Sequence, residues 1–325
     1  MSSRLVKTAI VIVSVFVALA IVEVGLRVNG SYLPPNDPIR PAQPELYQPD
    51  AAIGYRLWPS KKTTHRYPQK SEELIALVSN SDGFRSSREF DEHDGRRRIL
   101  VVGDSFVFGM GVRQDERVTE QLEGLMPHWR VDNMGMPGWG LDLMIRALEQ
   151  YGKKAHPDIV VLAVYTDDFR RLLPYYAGAG YGHAKFEISG SGLVTVPYPY
   201  PRFWERLRLV QFMYQTTWER NRNRYDLNGA LLDRYLKDAD AIGFKPAVAF
   251  LPGRGDNEED QQRRGFLQDW AARHAVPYLD LTAAIHGAGV DNVYIDNNPH
   301  WNPSGHRIAA EQLRNMLDRL VGTAR

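Results

Sequence analysis

Cysteine is absent from the 325 residues of this chain. A disulfide framework, a thiolate metal site and a cysteine nucleophile are therefore excluded. The absence does not indicate a compartment, because a chain of this length can bury a core large enough to be stable without disulfides, even in an oxidising space.

An excess of charge of one sign is also lacking, since 40 Lys and Arg residues face 39 Asp and Glu residues and leave a formal net charge of +1. A dedicated nucleic-acid-binding protein usually shows a strongly basic face, so we expect no nucleic-acid partner. Hydrophobic residues make up 43% of the chain. This proportion and the length suit one large domain or two small ones.

An uncharged, largely apolar run is present at the N-terminus, over residues 8–22. Fifteen residues fall short of the roughly 20 that span a bilayer, but the flanking Lys7 and Arg27 can extend their charged ends toward the two interfaces. We therefore predict that residues 1–28 are an uncleaved membrane anchor. The alternative is a signal peptide cleaved after Ala18-Leu19-Ala20. Both alternatives carry the rest of the chain across the membrane, because basic residues stay inside.

The next segment is rich in proline, with seven prolines between residues 34 and 59. So much proline favours an extended, semi-rigid spacer over an element of the core. We predict a linker over residues 29–81 and a globular domain over residues 82–325.

Short apolar runs alternate with helical patterns from residue 82 onward. The clearest strands are 99–102 and 159–164, continuous apolar runs typical of strands that are buried on both faces. The other predicted strands are 131–133, 247–251 and 277–281, and the predicted helices are 118–126, 141–151, 231–242, 266–274 and 304–320. This alternation predicts an α/β fold with a mainly parallel sheet covered by helices on both faces.

Residues 170–225 interrupt the alternation with many aromatic residues and interleaved arginines. The segment follows the end of a predicted strand, where open α/β sheets bind ligands. We interpret it as an insertion that caps a site. The alternative is that the aromatic side chains form the insertion's own small core, and we expect this of most of them.

Three short segments contain residues suited to chemistry. Gly103-Asp104-Ser105-Phe106 follows a strand at a turn into a helix, a position that exposes a serine hydroxyl and leaves the serine N–H free to bind an oxyanion. Residues 133–140 contain three glycines and one proline; they form either a rigid loop whose N–H groups face a ligand or an ordinary turn. Residues 299–306 begin the last helix and offer His300 as a general base.

In this order the three segments resemble the sequence blocks of the SGNH (GDSL-type) hydrolases, over roughly residues 82–320. Residues 103–112 and Asp82-Gly83-Phe84-Arg85 are similar, more narrowly, to the membrane-anchored bacterial branch of that family. The resemblance implies a flavodoxin-like three-layer α/β/α sandwich. It also implies a cofactor-free serine hydrolase in the bacterial inner membrane, with its catalytic domain on the periplasmic side, or secreted if the N-terminal segment is cleaved.

Carried over residue by residue, the resemblance implies that Ser105 is the nucleophile and His300 the base. The backbone N–H groups of Ser105 and Gly138 would bind the oxyanion. The family's third oxyanion donor is an Asn side chain, and the matching position here is Asp167. An ionised carboxylate cannot donate a hydrogen bond, and the loss of one donor typically costs about 2.7–4 kcal/mol of transition-state stabilisation. Either burial protonates Asp167, or Thr166 or another group donates instead, or catalysis is weak.

The triad acid is the second departure from the family pattern. The family usually places an Asp two or three residues before the His, whereas here Asp296 lies four residues before His300. We predict that Asp296 orients His300 if the intervening loop bulges; otherwise the enzyme works as a Ser–His dyad. No metal is expected, because His300, His306 and Asp296 are the only candidate ligand group and the chain has no clear ligand motif.

The predicted function is a serine esterase or acylhydrolase acting through an acyl-serine intermediate. Its substrate would be an ester-bearing small molecule or glycan, such as an O-acetyl group on a cell-envelope glycan or lipid. The alternatives are an O-acyltransferase, or a non-catalytic, membrane-tethered glycan-binding or assembly protein on the same scaffold. A lipase that acts at the membrane surface through the aromatic insertion is a weaker alternative.

Overall fold

The computed structural model describes residues 3–28, 43–66, 74–174, 176–190, 192–199, 202–220 and 223–322. The strands in chain order are β1 Tyr47–Asp50, β2 Gly54–Leu57, β3 Lys62–Arg66, β4 Leu74–Val78, β5 Arg97–Gly103, β6 Trp129–Gly135, β7 Ile159–Tyr165, β8 Lys185–Ser189, β9 Gly192–Val196, β10 Lys245–Leu251 and β11 Tyr278–Asp280. The α-helices are α1 Ser3–Val28, α2 Ser105–Phe108, α3 Val118–Leu125, α4 Leu141–Ala155, α5 Arg208–Arg220, α6 Asn223–Ile242, α7 Glu258–Arg273, α8 Thr282–Gly287, α9 Val290–Val293 and α10 Pro303–Gly322.

Five of these strands form one parallel sheet, in the order β6-β5-β7-β10-β11. Numbered along the chain from β5, this order is 2-1-3-4-5, the order of a flavodoxin-like sheet. The sequence-based prediction of an α/β fold with a parallel sheet is confirmed. The carboxyl ends of β5, β6 and β7 lie side by side, so the segments that follow them meet at one edge.

Helices cover both faces of the sheet because successive side chains of each buried strand point to opposite faces. Leu100 and Val102 pack in a core with α4, α6 and α7, whereas Ile99 and Val101 pack in a second core with α3, α8 and α10. The three-layer α/β/α arrangement is therefore present. Two predicted helices begin eight residues earlier than the apolar pattern indicated, at Asn223 and Glu258. Their first turns are polar, so hydrophobic periodicity does not reveal them.

The linker predicted over residues 29–81 contains folded segments at residues 43–66 and 74–81, which corrects the predicted boundary at residue 82; residues 29–42 and 67–73 lie outside the described part. The strands β1 and β2 form one antiparallel hairpin, and β3 and β4 form another. Ile53, Tyr55 and Leu57 are buried in the same core as α4 and α6. Pro49 lies in β1, a strand of a two-stranded sheet, where a missing N–H can be tolerated at the edge.

The helix α1 is almost entirely exposed, and it contacts α5. Of its described side chains only Glu23 and Leu26 are partly covered, and the others are exposed. It is long and apolar enough to cross a membrane by length and composition, with a mean hydropathy of 2.8 over its most apolar window. A membrane anchor and a signal sequence both have these properties.

The insertion at 170–225 contains the β8–β9 hairpin, 3₁₀ turns at Gly178–Gly180 and Phe203–Arg206, and α5. Tyr181 is buried in the main core, and Phe186 packs against that core. Phe203 and Trp204 are exposed. Tyr175, Tyr200 and the side chains of Tyr214 and Trp218 lie outside the described residues.

Candidate active site

Ser105 is the first residue of α2, directly after β5. The side chain of Asp104 caps this short helix by accepting the N–H of Phe106 at 2.9 Å, as expected for a residue that ties down the turn. Gly103 permits the sharp turn, because a Cβ there would lie 2.4 Å from Val107 Cγ2. The Ser105 side chain is held at the carboxyl edge of the sheet by this turn.

The imidazole of His300 lies against Ser105, although the two residues are 195 positions apart. His300 Nε2 is 2.7 Å from Ser105 Oγ, within the range expected for a base and its nucleophile. The Ser105 hydroxyl is also 3.3 Å from Asp104 Oδ2, so the contact with His300 is the shorter of the two. The His300 ring packs on Phe106, with ring centroids 5.3 Å apart, which restricts its orientation.

Asn298 defines which nitrogen of His300 carries the proton. Asn298 Oδ1 accepts the backbone N–H of His300 at 2.9 Å and lies 2.7 Å from His300 Nδ1. A backbone N–H can only donate, so the atom that faces it must be the amide oxygen. The same oxygen then requires a proton on Nδ1, which leaves the Nε2 lone pair directed at the Ser105 hydroxyl. The assigned tautomer is the one that a general base needs.

Asp296, predicted to orient His300, does not occupy that position. The antiparallel bridge between Tyr294 and Trp301 closes a tight loop, and Asn297 has φ of 54°. This left-handed turn leaves Asp296 exposed and folds Asn298 into the interior. The bulge that was expected to bring in a carboxylate brings in an amide instead, two residues before His300.

Burial lowers the pKa of His300 to about 4, and the positive charge of Arg171 acts in the same direction while Asp104 opposes it. The ordinary value for histidine is about 6.5. The ring is therefore neutral at physiological pH and is available to accept the proton of Ser105.

Gly138, the predicted oxyanion donor, lies in a loop that two tyrosines secure. Its φ of 80° is a conformation that glycine adopts without strain. The hydroxyl of Tyr55 donates to the carbonyl of Pro137 at 2.5 Å, and that of Tyr176 donates to the carbonyl of Gly138 at 3.0 Å. Both carbonyls of the loop are thereby held, so the peptide plane before Gly138 cannot turn freely.

A family model for GDSL-like lipases and acylhydrolases matches residues 101–308, from β5 into α10, and includes both Ser105 and His300. The chain belongs to this family. It is a GDSL-type serine hydrolase of the class that acts on ester bonds. A comparison with curated protein sequences finds no match.

Several solved structures resemble this GDSL-type hydrolase at low identity. A member of the lipolytic protein G-D-S-L family from Veillonella parvula is 17% identical, covers 69% of this chain and 99% of its own, and has a TM-score of 0.43. The psychrotrophic esterase EstA from Pseudoalteromonas is 11% identical, with 70% and 99% covered and a TM-score of 0.47. A carbohydrate acetylesterase family member from Sinorhizobium meliloti is 11% identical, with 70% and 99% covered and a TM-score of 0.43.

Asp167 is directed at two arginines in this GDSL-type hydrolase. Its Oδ1 lies 2.7 Å from Arg170 Nη2 and 3.4 Å from Arg263 Nη1, and 37% of its side chain is exposed. The carboxyl group is therefore not buried, and the burial that the first alternative requires is not present. The Thr166 hydroxyl does not replace the missing donor, because it donates to Asp260 Oδ1 at 2.5 Å.

Arg171 is a residue of the site that sequence analysis missed. Its Nη1 lies 2.8 Å from Asp104 Oδ2, 2.5 Å from Asp168 Oδ1 and 2.7 Å from the carbonyl of Trp139. One nitrogen thus joins the segments that follow β5, β6 and β7. Tyr55 and Tyr176 were missed as well. For Arg171, Tyr55 and Tyr176 the sequence gives no signal of a place at the site, beyond the position of Arg171 shortly after a strand.

His306 is buried, and its Nδ1 accepts the N–H of Val118 at 3.2 Å, so it joins α10 to α3. In the described part of the chain, no group of three or more His, Asp or Glu side chains is arranged to hold a metal ion. The conceivable set of His300, His306 and Asp296 is not brought together.

Proposed function

We propose that this chain is a membrane-tethered ester hydrolase in which Ser105 is the nucleophile and His300 the general base. The observation that carries the proposal is the 2.7 Å contact between Ser105 Oγ and His300 Nε2. Asn298 supports it by holding the proton on Nδ1. A serine and a histidine in this relation can form and hydrolyse an acyl-enzyme.

In the first half of the reaction, Ser105 Oγ attacks the ester carbonyl carbon while its proton passes to His300 Nε2. The carbonyl oxygen becomes negative and is bound by the N–H groups of Ser105 and Gly138. The bond to the alcohol oxygen then breaks, and His300 returns the proton to that oxygen. The acyl group remains on Ser105.

In the second half, His300 takes a proton from water as the water oxygen attacks the acyl carbon. The bond to Ser105 Oγ breaks, and His300 returns the proton to Oγ. Asp167 contributes no hydrogen bond to the oxyanion in either half, because its carboxylate is paired with Arg170 and Arg263. We therefore expect a slower acylation than a third donor would permit.

For the substrate we propose an ester on a cell-envelope glycan or lipid, such as an O-acetyl group. The tether supports this class, because α1 would hold the domain at a membrane surface. The insertion supports it too, because aromatic rings pack on sugar faces and guanidinium groups pair with carboxylates. Whether water or a sugar hydroxyl accepts the acyl group depends on how far the site excludes water.

The Ser105→Ala variant tests the proposed nucleophile. Full-length enzyme and variant are purified in detergent and given p-nitrophenyl acetate and an acetylated glycan. We expect ester cleavage by the wild type and a loss of about a thousand-fold or more in the variant, as is usual when an acyl-transfer nucleophile is removed. Equal rates for the two proteins would eliminate Ser105 as the nucleophile.

A non-catalytic glycan-binding protein is the second candidate, and the pairing of Asp167 with arginines favours it. A fluorophosphonate probe separates the two functions, because it reacts covalently only with an activated serine. Labelling of the wild type that is absent in Ser105→Ala supports the hydrolase. Glycan binding without any labelling would support the binding protein.

A further inference from the structure

The last turns of α1 are attached to the insertion by one carboxylate. Glu23 Oε1 accepts the N–H of Arg208 at 3.0 Å, and Glu23 Oε2 accepts the N–H of Leu209 at 2.9 Å. These amides belong to the first turn of α5, where N–H groups have no partner inside the helix. The anchor helix therefore caps α5, and the start of α5 lies beside the end of α1.

This cap also changes the effective length of the apolar helix. The charge of Glu23 is met by Arg27 at 2.7 Å and by the two amides of α5. Because the Glu23 carboxylate has these polar partners, it does not end the membrane-spanning stretch. That stretch can then be counted from residue 8 to residue 26. At 1.5 Å per residue these 19 residues span about 28 Å, close to the roughly 30 Å of a bilayer's hydrocarbon core. The end of α1 and the start of α5 then lie at the interface.

The residues just before and within the start of α5 have the composition of such an interface. We call residues 202–213 the aromatic–arginine segment. Phe203 is 79% exposed, Met213 58%, and Trp204 and Leu207 are about two-fifths exposed. Three arginines accompany them against one glutamate, a formal charge of +2; the arginines are Arg202, Arg206 and Arg208. Arg202 lies over the Trp204 ring, 5.3 Å from its centroid.

We propose that the aromatic–arginine segment is a second membrane contact that lies in the headgroup region of an anionic phospholipid bilayer. Exposed aromatic side chains beside arginines are typical of membrane interfaces, where the ring enters the acyl boundary and the cation meets lipid phosphate. Continuity with α1 favours a bilayer over a protein partner, because Glu23 holds the segment at the level where the apolar helix ends. The insertion that supplies Arg171 and Tyr176 to the site is thereby held against the lipid surface.

The proposal rests on the tether described above and not on the ester chemistry. Because the chain has no cysteine, a single cysteine can carry a fluorophore without a background. We would label Phe203→Cys in the full chain with a nitrobenzoxadiazole and reconstitute it into vesicles that contain lipids with a nitroxide near the headgroup. Glu311→Cys, at an exposed position of α10, which packs against α3, is the matched control.

We expect a loss of emission at position 203 and none at position 311. The loss is expected to be larger in vesicles of phosphatidylcholine with phosphatidylglycerol than in phosphatidylcholine alone; an equal loss in the two would contradict the role of the arginines. If emission at position 203 is unquenched in chains that float with the vesicles, the proposed second membrane contact is overturned while the tether is retained. Failure of the chain to float would overturn the tether together with it.

Glu23→Ala tests the cap itself, with Val24→Ala as its control because Val24 is an exposed neighbour. Loss of the carboxylate leaves two amides of α5 without a partner, so we expect weaker quenching at position 203 in chains that still float. Val24→Ala is expected to leave the quenching unchanged. Equal quenching in the Glu23→Ala and Val24→Ala chains would contradict the placement of the segment by Glu23.

Discussion

Asn298 stands where a triad would have a carboxylate, and this determines what His300 can do. Its amide oxygen selects the tautomer of His300 as a carboxylate would. It carries no negative charge, so it stabilises the imidazolium that forms during catalysis less than an aspartate would. Together with burial, this is consistent with the lowered pKa of His300. The imidazole of His300 is therefore oriented correctly for a general base, but its basicity is weak.

The pH dependence of ester hydrolysis tests this account. The base must be neutral, so kcat/KM is expected to rise with pH through about pH 4, the pKa that burial gives His300, and to stay level above it. Asn298→Asp places a carboxylate against Nδ1 and should raise the pKa of His300, so the rising limb moves to higher pH and the plateau rate increases. Asp296→Asn, at an exposed position, is the control and should change neither. An unmoved limb in Asn298→Asp would contradict the assigned role of residue 298.

Sequence analysis predicted the pair that the structure brings into contact and missed the residue that contacts the other nitrogen of His300, for a physical reason. Ser105 and His300 belong to blocks whose residue types and order are specific. The choice between Asp296 and Asn298 depends instead on the backbone of the loop, which turns through a left-handed conformation at Asn297. Spacing along the chain does not encode that turn. The two arginine partners of Asp167 come from different elements and could not be inferred from the sequence.

At the scale of elements, the segment before residue 82 forms hairpins that its composition does not predict. Proline density predicted a spacer, yet residues 53, 55 and 57 alternate toward the core in the manner of a half-buried strand. The hydroxyl of Tyr55 reaches the loop that contains Gly138. These hairpins therefore belong to the folded domain and support the loop that contains Gly138. By contrast, β5, β7 and β10 were predictable because each contains a short apolar run.

Two truncations test whether the hairpins are part of the domain. A chain that begins at residue 44 keeps Leu46, Tyr55 and Leu57, whereas one that begins at residue 82 removes them and exposes the core that they cover. Loss of each buried large side chain typically costs about 2–5 kcal/mol, so we expect the shorter chain to be unfolded or aggregated. Circular dichroism and thermal melts measure this. A stable, cooperative melt from the chain that begins at residue 82 would restore the linker interpretation.

At the scale of the whole molecule, the site is formed at the edge of the sheet where the carboxyl ends of β5, β6 and β7 lie. Because β5, β6 and β7 are parallel neighbours, the segments after them converge, and the Nη1 of Arg171 joins all three. This convergence was predictable from the flavodoxin-like parallel sheet that the resemblance implied. The other side of the site comes from the loop that leads into α10, and α10 packs against α3 through His306. The position of His300 is therefore coupled to the packing of that helix.

That packing should depend on pH. Burial lowers the pKa of His306 to about 3, against about 6.5 in an unfolded chain. Between these values the unfolded chain binds a proton that the folded chain does not. The free energy of unfolding must therefore fall as the pH decreases from about 6.5 toward 3, by up to about 1.4 kcal/mol per pH unit for this group. Above pH 6.5 the stabilisation from neutral His306 is fully present.

His306→Gln removes the titration and keeps a side-chain oxygen that can accept the N–H of Val118. Urea unfolding of the chain that begins at residue 44, measured at several values between pH 4 and 7, should show a shallower loss of stability with acid in this variant than in the wild type. His128→Gln, which makes the same substitution at an exposed position, is the matched control. Since His300 titrates in the same direction with a pKa of about 4, some acid sensitivity remains in every variant that keeps it. Identical slopes for wild type and His306→Gln would show that the contact between α3 and α10 does not depend on a neutral imidazole.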